Sequence, residues 1–88
     1  MKINDKYKLT VLADENVVFI PGTVDGEQSK LMVLNETSTW LWENLLGKDF
    51  ETKDVVNLLL SEYDVDEATA TADAMEWVSL LDSYHIFA

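Results

Sequence analysis

The sequence predicts an α+β domain in which a three-stranded antiparallel sheet is followed by three α-helices. Up to Leu34, the apolar residues alternate with polar ones or form short β-branched runs, which is typical of strands. From Asn35 onward, they recur every three or four positions, which is typical of amphipathic helices. The segments between the predicted strands are too short for the crossovers that parallel strands need, so the sheet is expected to be antiparallel.

The length and composition predict one domain without covalent cross-links. A chain of 88 residues can bury only one core, so residues 1–88 are interpreted as a single domain. The absence of cysteine excludes a disulfide scaffold and a thiolate metal site, and it fits a reducing compartment. The longest apolar run is four residues, and the amino terminus lacks a signal-like apolar stretch. We therefore expect a cytoplasmic protein without a membrane span.

Three strands are predicted before the helices. The first covers residues 8–13 and the second residues 17–20, with turn-forming residues 14–16 between them. Residues 23–24 are interpreted as a continuation of the second strand before a turn at residues 25–26. The third strand covers Lys30–Leu34, and the chain order places it at an edge of the sheet.

Each predicted helix begins at a residue whose side chain can accept hydrogen bonds from the free N–H groups of the first turn. Helix one follows Asn35 and ends before Gly47, helix two follows Thr52, and helix three follows Asp66. The apolar face of helix three consists of Ala70, Ala74, Trp77, Val78 and Leu81. Residues 84–87 are expected to pack under the helices, because their large apolar side chains would otherwise remain in water.

The sequence offers no arrangement that is typical of an enzyme. The single histidine, His85, lies three residues from the last residue, and no nucleophile and orienting group accompany it in a recognisable pattern. The carboxylates of residues 64–67 suggest a calcium loop, but Thr69 and Met75 occupy the positions that need glycine and glutamate. The glycines are isolated, which excludes a phosphate-binding loop. We therefore predict no catalytic residue, no metal and no cofactor.

A sheet followed by three helices is similar to a winged helix-turn-helix, so DNA binding has to be weighed. The third helix would enter the groove of the duplex, but it contains no lysine or arginine and carries several carboxylates. Because phosphate neutralisation supplies most of the affinity in such complexes, we expect no nucleic-acid partner. The net charge of −11 favours a partly basic partner, although solubility alone also explains it.

The third strand is a candidate interaction site. Residues 31–34 carry neither charge nor proline, whereas natural proteins usually protect an edge strand with such residues. An unprotected edge can accept a strand from another chain. The alternative is that helix one or helix three covers this strand and that its apolar run belongs to the core.

Several short features occur in a defined order along most of the chain. They are the stretch Leu31-Met32-Val33-Leu34-Asn35-Glu36-Thr37, the pair Leu41-Trp42, Gly47 before Thr52 and Val55, the link Tyr63-Asp64-Val65-Asp66, and Asp73, Trp77 and Leu81 in the last helix. In this order and spacing, they resemble the PqqD family over about residues 8–87.

The resemblance implies a peptide chaperone of the type called a RiPP recognition element. Such a domain binds the leader of a ribosomally made precursor peptide as a strand beside its third strand, in a groove against its third helix. It presents the peptide to a modifying enzyme, which in pyrroloquinoline quinone biosynthesis is a radical S-adenosylmethionine enzyme. Both a quinone precursor and another modified peptide fit as clients. By position, the peptide-binding residues are Lys30, Leu31, Met32, Val33, Leu34, Ala70, Asp73, Ala74 and Trp77.

Within this expected site, Ala70 and Ala74 would open a groove beside Trp77, and Asp73 would pair with a lysine or arginine of the leader. The alternative is that the two alanines only allow helix three to pack closely on helix one. For the whole protein, the alternative function is a non-catalytic protein–protein interaction subunit without a peptide substrate. The sequence does not predict the oligomeric state.

Overall fold

The computed structural model describes residues 1–22, 26 and 28–88, and it contains the predicted three-stranded antiparallel sheet followed by three helices. The elements are β1 (Leu9–Leu12), β2 (Glu15–Ile20), β3 (Lys30–Leu34), α1 (Glu36–Leu45), α2 (Thr52–Glu62) and α3 (Glu67–Ser83). The strand order is β1-β2-β3, so β1 and β3 form the two edges of the sheet that these residues build. The predicted continuation of the second strand over residues 23–24, and the turn residue Asp25, lie outside the described residues.

The turn between β1 and β2 falls earlier than the sequence predicts. It consists of Ala13 and Asp14, whose φ angles are 51° and 66°, and the pair that closes it is Leu12 and Glu15. The prediction of a turn at residues 14–16 is therefore wrong, and β2 begins two residues before Val17. The physical reason is that a two-residue loop with both φ angles positive has the twist that joins antiparallel strands.

Two of the three predicted helix caps are confirmed. The Asn35 side chain accepts a hydrogen bond from the Ser38 N–H at 2.8 Å, and the Asp66 side chain accepts one from the Thr69 N–H at 2.7 Å. The hydrogen bonds from Thr69 lower the pKa of the Asp66 carboxyl, because they stabilise its charged form. Gly47 follows α1 with a φ of 82°, as expected of a left-handed helix stop.

The predicted cap of the second helix is wrong. Thr52 is the first residue of α2, and Glu51 occupies the capping position. The Glu51 N–H donates to the Asp54 side chain at 2.8 Å, so a carboxylate inside the first turn reaches back to the backbone before the helix. This reciprocal arrangement stabilises the helix start without the threonine hydroxyl.

We expect Asn35→Ala to lower the free energy of unfolding by about 1 kcal/mol, because it leaves the Ser38 N–H without its side-chain acceptor. Thr52→Ala is expected to change it by less than about 0.5 kcal/mol, since Thr52 does not occupy the capping position. Urea unfolding of both variants measures the difference. A loss at Thr52→Ala as large as that at Asn35→Ala would contradict this assignment of the caps.

The core lies between the inner face of the sheet and the three helices. Trp42 of α1, Val55 of α2 and Leu81 of α3 are all fully buried there. The helices α2 and α3 pack against each other, and α1 contacts β3. Trp40, which points away from Trp42, packs edge-to-face on Tyr63 at a centroid distance of 5.8 Å. No helix in the described ranges is long and apolar enough to cross a membrane.

The chain ends pair with each other. Ile86 is fully buried, which confirms the prediction of a packed tail. The Asn4 N–H donates to the Ile86 carbonyl at 2.9 Å, and an isolated bridge joins Ile3 to Phe87. The sequence did not indicate this partner, because a single bridge leaves no periodic pattern. The pairing holds the tail beneath the end of α3.

Candidate peptide-binding site

Backbone geometry identifies which groups of β3 face the free edge. In an antiparallel sheet, consecutive residues of a strand direct their N–H and C=O groups to opposite sides. Leu12 and Glu15 close the two-residue hairpin, and because such a pair is hydrogen-bonded, the backbone groups of Glu15 face β1. Val18 lies three positions after Glu15, so its backbone groups face β3, where its partner is Met32. On β3, the N–H and C=O groups of Met32 therefore face β2, and those of Leu31 and Val33 face the free edge.

The side chains of β3 alternate between the core and solvent. Met32 and Leu34 are buried in the core, whereas Leu31 and Val33 are 50% and 55% exposed. One face of the strand therefore belongs to the core, as the alternative interpretation holds, while its edge stays unpaired within the described residues. That this edge receives a strand from another chain stays a prediction. Two residues of β3 thus offer two N–H donors and two C=O acceptors to an added strand.

The strand β3 runs beside α3 in the opposite direction. At the start of β3, the Lys30 ammonium lies 6.0 Å from the ring centroid of Tyr84, which follows α3. Past the end of β3, Asn35 lines a cavity together with Glu76 and Trp77 of α3. These two observations place β3 beside α3, and we call the space between them the groove. That a peptide lies in this groove, as the resemblance implies, stays a prediction.

Two adjoining cavities lie at the Asn35 end of this groove. The first, which we call the α1–α3 cavity, has a volume of about 360 Å³ and lies between the start of α1 and the middle of α3. The second, which we call the sheet-end cavity, has a volume of about 760 Å³ and includes Val33 of β3. Because Asn35, Ser38 and Leu80 line both cavities, the two form one continuous depression.

Each cavity is lined by a residue with a buried polar atom that has no hydrogen-bond partner in the described part of the chain. These atoms are Trp77 Nε1, on a residue that lines the α1–α3 cavity, and Thr39 Oγ1, on a residue that lines the sheet-end cavity. Trp42 Nε1, on a residue that lines neither cavity, is unpaired in the same way. Buried polar atoms are normally paired. Such unpaired atoms are therefore not confined to the residues that line the two cavities.

The structure brings some of the predicted α3 residues to the depression and buries others. Asp73 and Trp77 line the α1–α3 cavity. Ala70 and Ala74 are fully buried in the core and line neither cavity. Contact between a peptide and either alanine stays a prediction. The alternative expected α3 to pack closely on α1, whereas in this structure α3 packs mainly on α2.

Sequence reasoning missed Glu76, Leu80 and the first turn of α1 as parts of this site. Glu76 and Leu80 follow Asp73 by three and seven positions, so helical spacing places them on the same face. That spacing could have found them. The contribution of α1 depends on where the chain enters the helix after β3, which the sequence does not reveal.

The fold and the groove define a small winged-helix-like domain with a free strand edge beside a helix, a geometry that accepts an extended peptide. The family of coenzyme PQQ synthesis protein D (PqqD) matches residues 15–86, and the chain belongs to this family. The resemblance that the sequence indicated is thereby confirmed.

A solved structure with the same fold is TbiB1 in complex with the TbiA(beta) leader peptide. The TM-score is 0.70 and the sequence identity is 21%, and the similarity covers 99% of this chain and 94% of that chain. At this identity the similarity establishes the fold. A comparison with curated protein sequences gives no match.

Proposed function

We propose that this chain is a peptide chaperone that binds the leader of a ribosomally made precursor peptide and presents it to a modifying enzyme. The observation that carries the proposal is the free edge of β3, where the backbone groups of Leu31 and Val33 lie beside the groove to α3. Membership of the PqqD family supports it, and so does the leader peptide bound to TbiB1, which has the same fold.

In the proposed complex, the leader adds as a fourth strand to the sheet. Its backbone pairs with the groups of Leu31 and Val33, and each hydrogen bond contributes about 0.5–1.5 kcal/mol after desolvation. This ladder gives affinity without sequence preference. Selectivity comes from leader side chains that enter the depression, where Val33 and Leu80 offer exposed apolar surface.

The proposed role assigns the chemistry to the partner. The modifying enzyme acts on the peptide that this chain holds, and in the pathway for which the family is named we expect a radical S-adenosylmethionine enzyme. Other peptide-modifying enzymes fit the same arrangement. The role requires no cofactor and no catalytic residue in this chain. It places the protein in the cytoplasm, because precursor peptides are synthesised there.

A second candidate function is a constitutive protein–protein interaction subunit without a peptide substrate. One observation favours it: the outer face of the sheet, turned away from the helices, presents Leu12, Phe19, Leu31 and Val33, all of which are exposed. Exposed apolar patches of this kind often mark protein interfaces. The two candidates differ in whether the edge of β3 or its outer face is the contact surface.

A titration separates the two candidates. The probe is the leader of a short precursor peptide whose gene neighbours that of this chain, and the readout is the backbone NMR spectrum. The proposed function predicts the largest shifts at Leu31, Val33 and Trp77. Shifts that leave β3 unchanged, or a gene neighbourhood without a precursor, would favour the interaction subunit.

A further inference from the structure

The depression beside β3 is lined by carboxylates and by no described cation. Asp73 and Glu76 line the α1–α3 cavity. The sheet-end cavity adds Asp14, Glu15, Glu36, Glu43 and Glu62. No lysine and no histidine lines either cavity in the described ranges. An occupant therefore meets one sign of charge from α1, α2, α3 and the β1–β2 turn.

These carboxylates are not neutralised within the protein. Among the described residues there are two ion pairs, one between the amino terminus and Asp49 and one between Lys53 and Glu51. None of these residues lines either cavity of the depression. Lys30 lies at the opposite end of the groove, near Tyr84. With a net charge of −11 on the whole chain, the field in this concave region favours a cationic occupant.

Two residues that line the depression carry a buried polar atom without a partner in the described part of the chain. The Trp77 indole nitrogen and the Thr39 hydroxyl, both on residues more than nine-tenths buried, have no partner within the described residues, and each residue lines one of the two cavities. An indole N–H needs an acceptor, and a peptide carbonyl supplies one.

We propose that the groove selects leaders that carry lysine or arginine near the Asn35 end of β3, where the carboxylates of Asp73 and Glu76 receive the cation. This inference rests on the proposed function and adds the charge class of the peptide. An acidic leader, or a second copy of this chain, meets repulsion at the same place. The ion pairs are partly exposed, so the preference depends on salt concentration.

The test uses two synthetic peptides of about ten residues, long enough to cover one strand edge. Both alternate valine with a second residue, which is lysine in one peptide and glutamate in the other. Calorimetric titration at low salt is expected to give an affinity about tenfold higher for the lysine peptide. This ratio is expected to fall toward one in high salt.

A matched pair of variants locates the preference. The double substitution Asp73→Asn and Glu76→Gln is expected to remove most of the lysine preference. The control, Glu67→Gln with Asp82→Asn, makes the same charge change on α3 outside both cavities and is expected to preserve it.

The outcomes distinguish the two levels of the proposal. Equal or tighter binding of the glutamate peptide would overturn the inference and leave the proposed function standing. An equal loss of preference in the two double variants would also overturn it, because the selectivity would then come from net charge. If neither peptide binds, the charge inference fails, and the proposed function is decided separately by the titration with the leader.

Discussion

Proline at Val33 is expected to weaken leader binding at least tenfold while the domain stays folded, and proline at Val11 is expected to change neither binding nor folding. The Val33 N–H faces the free edge of β3, so Val33→Pro removes a donor to the added strand without breaking the β2–β3 ladder. By the same geometry, the Val11 N–H faces the free edge of β1. The side chains of Val33 and Val11 are 55% and 68% exposed, so neither change costs much packing.

Calorimetric titration and thermal unfolding of the two variants measure the contrast. We expect an affinity at least tenfold lower for Val33→Pro, about 1.4 kcal/mol or more, from the lost hydrogen bond and the steric bulk of the ring. Undiminished affinity in a folded Val33→Pro variant would contradict strand addition. Met32→Pro is not equivalent, because the Met32 N–H faces β2 and its side chain lies in the core.

Ala74→Arg is expected to unfold the domain. Ala74 is fully buried, so the substitution places a guanidinium among core side chains with no carboxylate to pair with it. The penalty is expected to be several kcal/mol, comparable to the total stability of a domain of this size. Circular dichroism of the purified variant measures the loss of helix.

The control for this prediction is Ala72→Arg, two residues earlier on the same helix and exposed. It adds the same charge and is expected to leave the spectrum unchanged. A folded Ala74→Arg variant that no longer binds peptide would instead show that α3 can open there. That result would assign Ala70 and Ala74 to the groove wall, as the family resemblance implies.

Much of the fold could be predicted because the signals are local. Asn35 and Asp66 are cap residues directly before periodic apolar segments, and Gly47 marks a helix end. The β1–β2 turn could not be placed, because Ala13 has no turn preference and takes a positive φ only within the hairpin. The position of that turn determines which backbone groups of β3 face the free edge. The N–H donors at this edge could therefore be identified only from the structure.

The sequence predicted which strand and which helix form the candidate site, but it did not predict all of the residues that line it. The uncharged run of β3 indicated an unprotected edge, and Asp73 and Trp77 line a cavity beside it, whereas their contact with a peptide stays a prediction. Small residues such as Ala70 and Ala74 are compatible with a close contact between helices and with an open groove. Only the tertiary structure shows which of the two arrangements occurs. The depression also needs the first turn of α1, whose position depends on the whole core.

Hydrogen exchange of the β3 backbone amides, with and without saturating leader peptide, tests the central claim most directly. Strand addition predicts that the amides of Leu31 and Val33 exchange quickly in the free protein and become protected in the complex. The amide of Met32, which faces β2, is expected to be protected in both states. Unchanged exchange at Leu31 and Val33 in the saturated complex would contradict the proposal that the leader adds to this edge.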